Sequence, residues 1–364
     1  MKNTFGSSVA LSVFGESHGA AVGAVLDGMA AGVKVDEHFI RSQLTLRRPA
    51  GKISTSRVEE DKFVIESGVY NSRTTGTPIC IVIPNENTRS GDYSATRALA
   101  RPGHADYTAY CKYHGFEDYR GGGHFSGRVT AGVVAAGAIA IAALREKGIY
   151  IGTHISRCGG VSDRPFGDMA ADIAAVNAKV FAVLDSASEQ NMLTAIEAAA
   201  RDGDSVGGVL ETAVTGLPEG VGEPFFDTLE SVLAHALFAV PAVKGVEFGS
   251  GFALADMRGS AANDPFAIKD GRVTTVTNNN GGINGGITNG MPVIFRCAVK
   301  PTPSVSLVQQ TVNIMDGTDV ELAVRGRHDP CIVHRARVVV DSVVAVALCD
   351  MLAMRFGTDW LVNI

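Results

Sequence analysis

The longest apolar, charge-free run of the chain, Val129 to Leu144, covers 16 residues between Arg128 and Arg145. It is Ala-rich, apolar on most sides and stopped by Gly148. That pattern predicts a buried helix over about 129–147. A membrane span needs about 20 such residues, so the run is assigned to a core. Asp36 is placed to cap a helix over about 37–46. Further helices are predicted near 168–184, 189–201 and 226–239, the second ending at Gly203 and the third before Pro241. A last helix is expected at about 338–355. Apolar runs predict strands at 8–14, 21–26, 63–66, 79–83, 149–155, 208–215 and 291–299. Helices and strands mix without a regular βαβ alternation, which predicts α+β rather than a doubly wound parallel sheet. No Pro/Ser-rich break divides the chain, so residues 1–364 are expected to form one domain.

Composition narrows the function. Lys plus Arg number 32 and Asp plus Glu 38, a net charge of −6, whereas a general nucleic-acid binder carries a basic face. Charged residues make up only 19%, and 42 of 364 residues are glycine. The usual shares are about 25% and about 7%. The six cysteines (80, 111, 158, 297, 331 and 349) include no CxxC spacing. Neither a disulfide framework nor a cysteine zinc site is expected, and free thiols fit a cytoplasmic protein. No apolar stretch follows Met1–Thr4, so no signal peptide is expected. A second charge-free run, Val273 to Phe295, holds five Asn and five Gly and is no membrane helix.

Familiar motifs fail on context. Gly15–Gly19 (GESHG) matches the G-x-S-x-G nucleophile elbow, but only 14 residues precede it, too few for the strands that elbow needs. No GxxxxGK[ST] is present. Gly121–Ser126 approaches GxGxxG but ends in Ser and follows a polar, Tyr-rich stretch, so a dinucleotide fold is unsupported. No two histidines stand at i,i+2 or i,i+4, and no metal site is expected.

Six loops remain: 15–19, 47–49, 101–128, 278–290, 300–304 and 326–330. They are rich in Gly, Arg and His. The third holds three of the nine histidines and four of the seven tyrosines. Glycines let backbone N–H groups turn toward an anion. Arg forks grip phosphates and carboxylates, and His carries protons near neutrality. Each loop also has a plainer reading: Asn-Gly repeats make tight turns, a lone His is usually a bonded surface or core residue, and Arg after a helix offsets its dipole. Their coexistence favours a site for a polyanionic small molecule, with room for a phosphorylated cofactor.

At this point the residues resemble a known family. FGESHG (14–19), RRP (47–49), TTGTPI (74–79), RPGHADYT (101–108), DYRGGG (118–123), AVKGVEFGSGF (242–252), GGINGGITNG (281–290), KPTPS (300–304) and GRHDP (326–330) resemble, in order, the signature blocks of chorismate synthase. The resemblance implies a β-α-β sandwich, with helices packed between antiparallel sheets, assembled as a homotetramer. It implies a carbon–oxygen lyase that converts 5-enolpyruvylshikimate 3-phosphate to chorismate and phosphate, the last step of the shikimate pathway. This anti 1,4-elimination depends on reduced FMN without net redox change.

By the same resemblance His18 and His104 are the acid/base histidines. One protonates the departing phosphate and the other holds the protonation state of reduced flavin, while Asp329 assists proton removal near flavin N5. Ser17, Arg48, Arg101, Arg128 and Arg327 are implied for the substrate. The FMN contacts implied are His124, Phe125, Ser126, Pro241, Ala242, Gly285, Lys300, Pro301, Thr302, Pro303, Ser304 and again Arg327. Arg47 aligns with a position linked to NADPH. No further nicotinamide fingerprint is visible, so an external reductant is expected. Departures fall in one loop above all: the family usually reads RGGGRSSARET, and this chain reads RGGGHFSGRVT over 120–130. Ile53 stands where Arg is frequent, and Pro241 where Asn is common. The altered loop is the one feature that favours a flavin oxidoreductase instead.

Overall fold

In the computed structural model, which describes residues 2–49, 51–54, 60–86, 97–324 and 329–363, the Ala-rich run is the buried helix its pattern predicts. The helices in chain order are α1 (Glu37–Arg47), α2 (Asp106–Tyr113), α3 (Thr130–Glu146), α4 (Met169–Asn177), α5 (Ser186–Arg201), α6 (Leu229–Phe238), the single turn α7 (Gly259–Ala262) and α8 (Val333–Phe356). One antiparallel sheet runs Thr4–Phe5, Ala10–Gly15, Ala21–Asp27, Ile79–Pro84, Val64–Ser67 in spatial order. The other runs Val243–Phe248, Val293–Val299, Gly208–Thr215, Tyr150–Cys158, Val161–Ser162. Helix α3 lies on the first sheet, α8 on the second, and the two helices pack on each other. The fold is therefore α+β, a sheet–helix–sheet sandwich.

Small residues set the spacing of these layers. A Cβ added to Gly132 would lie 2.5 Å from the Gly23 carbonyl carbon, and one on Gly137 only 2.3 Å from Ser342 Cβ. Helix α3 thus touches the first sheet and α8 through bare backbone. The helical run Gly127–Glu146 is 20 residues long, and 89% of its apolar 18-residue window is buried within the protein, so its length reflects the depth of the core. Several buried polar groups on α8 are bonded, as desolvation favours, while Arg337 Nε and His334 Nδ1 have no hydrogen-bond partner among the described residues. Asp341 Oδ1 accepts from Thr153 Oγ1 at 2.6 Å, and Ser342 Oγ donates to the Val338 carbonyl at 2.7 Å.

The structure corrects several boundaries. The helix expected over 168–184 stops at Asn177. Residues beyond it bond elsewhere: Ala182 O accepts from Ile155 N, and Asp163 accepts from Leu184 N and Asp185 N. Asp185 then caps α5 by accepting from Ser188 N, which moves that helix's start back from 189 to 186. Thr228 caps α6, three residues later than expected. Helix α8 begins at Val333 rather than 338. Part of the loop assigned to 101–128 is α2. The Val243–Phe248 strand and the exposed hairpins Phe266–Lys269/Arg272–Thr275 and Gln309–Asn313/Thr318–Leu322 were not expected.

Candidate active site

The turn at Arg120–Phe125 organises the site. Gly121, Gly122 and Gly123 have φ of +60°, +82° and +53°, values that suit glycine. Space is the stricter demand. A Cβ on Gly121 would lie 2.4 Å from His18 Cε1 and Nδ1, and one on Gly122 would lie 3.0 Å from His104 Cε1 and 3.2 Å from its Nε2. The two predicted acid/base histidines therefore sit over consecutive glycines of one turn. A Cβ on Gly123 would meet the Asp118 carbonyl oxygen at 1.9 Å.

The GESHG loop is fastened to this turn from several sides. Ser17 N donates to the Gly123 carbonyl at 3.1 Å, and Ser17 Oγ lies 3.2 Å from His18 Nδ1. Both side chains are buried, at 2% and 7% exposure. Asn85 Nδ2 donates to the carbonyls of Glu16 and Gly19 at 2.9 Å. His124 Nδ1 donates to the Gly15 carbonyl at 2.8 Å. One family departure is thus accounted for: His124 ties the GESHG loop to the glycine turn. The other new residue, Phe125, packs edge-on against Tyr113 at 6.1 Å between ring centres, and Ser126 Oγ accepts from Arg128 N.

A buried carboxylate that the sequence did not single out gathers two of the arginines. Asp61 Oδ2 accepts from Arg47 at 2.7 Å, and its Oδ1 accepts from Arg128. Burial alone would raise the Asp61 carboxyl, but the two guanidiniums hold it below the ordinary range. Burial in turn pulls Arg47 down. Arg128 continues to Asn85 Oδ1 at 2.9 Å and the Pro84 carbonyl at 3.1 Å. Arg335 joins Asp329 to the same cluster, with Nε on the Arg47 carbonyl at 2.8 Å and NH1 on Asp329 at 2.6 Å. Arg48 is half-buried, and among the described residues its buried Nε has no hydrogen-bond partner. Ile53, where the family often has Arg, is 8% exposed and packs in the core. Arg327 lies outside the described residues.

A second group gathers around His104. Asp106 binds Arg101 through Nε and NH2, each at 2.7 Å, and His104 Nδ1 at 2.8 Å. Burial would raise the Asp106 carboxyl, yet Arg101 and His104 hold it well below the carboxylate range. Lys300 Nζ donates to the Gly103 carbonyl, and a Cβ on Gly103 would sit 3.3 Å from Pro303. Lys300 N bonds the Ala242 carbonyl at 2.9 Å, and Ala242 holds a left-handed φ of +73° after Pro241. Among the described residues the buried Thr302 hydroxyl has no partner. Segments 241–242 and 300–304 are thus brought beside the loop that carries His104. Gly285 is set apart. It turns the Ile283–Asn284/Ile287–Thr288 hairpin with open space around its Cα, and the contacts of neighbouring Gly286 run to Glu223 and Thr228.

Asp61, Asn85 and Asp106 are the site residues that sequence reasoning missed. Asp106 had a signal, standing two positions after His104 and five after Arg101. Asp61 had none.

Two imidazoles over a glycine turn, ringed by guanidiniums and a lysine, define the class: an enzyme acting on a small molecule. Comparison with known proteins gives the family. The family model described as chorismate synthase matches residues 9–353. A chorismate synthase of Dehalococcoides mccartyi is 48% identical over 360 residues, 98% of each chain. One of Thermococcus gammatolerans is 46% identical over 358 residues, covering 98% of this chain and 99% of its own. A solved structure described as a crystal structure of chorismate synthase aligns with a TM-score of 0.76 at 27% identity, covering 97% of this chain and 94% of the other. The chain belongs to the chorismate synthase family.

Proposed function

We propose that the chain eliminates phosphate from 5-enolpyruvylshikimate 3-phosphate to give chorismate, with reduced FMN as cofactor. The observation that carries this reading is the seating of His18 and His104 over Gly121 and Gly122. The substrate bears two carboxylates and a phosphate, so an acidic protein must concentrate cations locally. Arg48, the free edge of Arg101, and Arg327 are assigned to those anions. Arg128 reaches them through its place on Asp61 or by exchanging that partner. One histidine gives a proton to the departing phosphate, and the other holds the proton balance of the cofactor. Asp329, held by Arg335, assists proton removal.

The residues present fit FMN. Lys300 offers a fixed charge, the Thr302 hydroxyl (unpartnered among the described residues) a buried donor, and segments 124–126, 241–242 and 300–304 a polar cradle. Bound there, reduced FMN would supply transient electron donation to the allylic system with no net redox change. Arg47 is only 5% exposed and committed to Asp61, which supports an external reductant over NADPH bound at this position. We also propose a cytoplasmic homotetramer. Exposed Phe225, Phe226 and Phe252, at 87%, 89% and 82%, support burial of apolar surface in an assembly.

A strictly anaerobic assay tests the reaction. Phosphate release without net consumption of reduced FMN is expected, and stoichiometric flavin oxidation would instead mean hydride transfer. His18→Ala and His104→Ala should each lower turnover by about 10²-fold or more. If both leave the rate unchanged, the chain is a binding protein of this fold. If NADPH with oxidised FMN suffices, the external reductant is wrong.

A further inference from the structure

Asp106 opens α2 and receives four donors: Arg101 N at 3.0 Å, Arg101 Nε and NH2 at 2.7 Å, and His104 Nδ1 at 2.8 Å. Arg101 NH2 also lies 3.1 Å from His104 Nδ1. These contacts permit two states of the ring. Either Nδ1 carries a proton and donates to Asp106, or it is bare and accepts from Arg101. A guanidinium only donates and an ionised carboxylate only accepts. A bare Nδ1 would set its lone pair 2.8 Å from a carboxylate oxygen, which is repulsive. Arg101 NH2 keeps a second N–H, but its bond to Asp106 Oδ1 is the shorter one, 2.7 Å against 3.1 Å to Nδ1. Nδ1 therefore holds the proton, and in the neutral ring Nε2 holds the lone pair.

Arg101 has a second effect. Its fork neutralises the carboxylate side-on, so Asp106 accepts the hydrogen bond without drawing off the proton. The Cε1–Nε2 edge of the ring faces Gly122, where a Cβ would lie 3.0 Å from Cε1 and 3.2 Å from Nε2, so the absent side chain keeps Nε2 uncovered. We propose that Asp106, anchored by Arg101, is a positioning residue that fixes His104 as the Nδ1–H tautomer and presents Nε2 over the glycine turn as the proton-exchanging atom. The proposal rests on the reading of His104 as an acid/base group, but the tautomer can be measured without any reaction.

Magic-angle-spinning ¹⁵N spectra of the full chain labelled at histidine, with His104→Gln to assign the signal, should show neutral His104 protonated at Nδ1 and bare at Nε2. In Asp106→Asn an amide oxygen in the Oδ2 place keeps Arg101 N and Nε, and the NH2 in the Oδ1 place faces His104 Nδ1 and forfeits the Arg101 NH2 bond, which should reverse the tautomer. In the anaerobic assay the same variant should lose roughly 10–100-fold in kcat with little change in KM, and Asp106→Glu should recover part of the loss. A wild-type His104 protonated at Nε2 overturns the proposal, as does an Asp106→Asn protein with unchanged tautomer and kcat. If Asp106→Asn fails to fold, the wild-type spectrum alone decides. A chain with the Nδ1–H tautomer but no phosphate release would overturn the proposed reaction and leave the tautomer assignment standing.

Discussion

Glycine does two different jobs within a few residues of each other. Gly121 has a left-handed φ of +60° and a Cβ there would meet the His18 ring at 2.4 Å. Gly127 has no heavy atom within 4 Å of its would-be Cβ and no positive φ. Gly121→Ala should therefore push His18 off its place, with a left-handed penalty of about 1–2 kcal/mol. A misplacement near 1 Å costs on the order of 10²-fold in rate. We expect kcat to fall by about that factor, with only a modest drop in melting temperature. Gly127→Ala, which restores the family's usual residue, should change neither. Equal losses in the two variants would mean that the turn matters for folding rather than for His18.

On the strand Tyr150–Cys158, His154 is fully buried between Asp163 and Glu211, each 2.9 Å from a ring nitrogen. Both nitrogens must donate, so the ring is an imidazolium. Burial would lower its pKa, but the two carboxylates raise it above the ordinary 6.5. The sign follows from linkage. A group whose folded pKa is raised contributes its full stabilisation below the unfolded value and loses it as pH climbs through the folded value. The melting-temperature gap between wild type and His154→Gln should thus be largest below about pH 6.5 and narrow steadily above it. A gap that widens with pH would mean that the buried ring is neutral. Asp163 also accepts Leu184 N and Asp185 N, so this ion cluster helps to fix the connection between α4 and α5.

At the scale of the molecule, α8 packs against α1, α3, α6 and the second sheet, and α3 against the first. We propose from this sharing of one helical layer that residues 1–364 unfold as a single cooperative unit. The point to perturb is the contact of Gly137 with Ser342, where added side-chain volume has nowhere to go. Overpacking costs about 1–3 kcal/mol, and Gly137→Val should shift one calorimetric transition to lower temperature without splitting it. Two transitions, with only one of them shifted, would divide the chain into separate domains.

Local pattern was enough for the Ala-rich α3, the exact span of the Gly208–Thr215 strand and the Asp36 cap, because apolar period and capping chemistry act between near neighbours in sequence. The glycine-rich blocks likewise carried the family and pointed to the turn under His18 and His104. The tertiary structure alone decided which carboxylate holds which cation. Asp61 joins Arg47 across 14 residues and Arg128 across 67, separations that no helical or strand period encodes. The same holds for the seam through Gly137 and for Lys300, 197 residues from the Gly103 carbonyl it caps. Residue type and near-neighbour spacing set the elements and the available chemistry. Desolvation, which penalises every unpaired buried charge, determined the partners once the layers had closed.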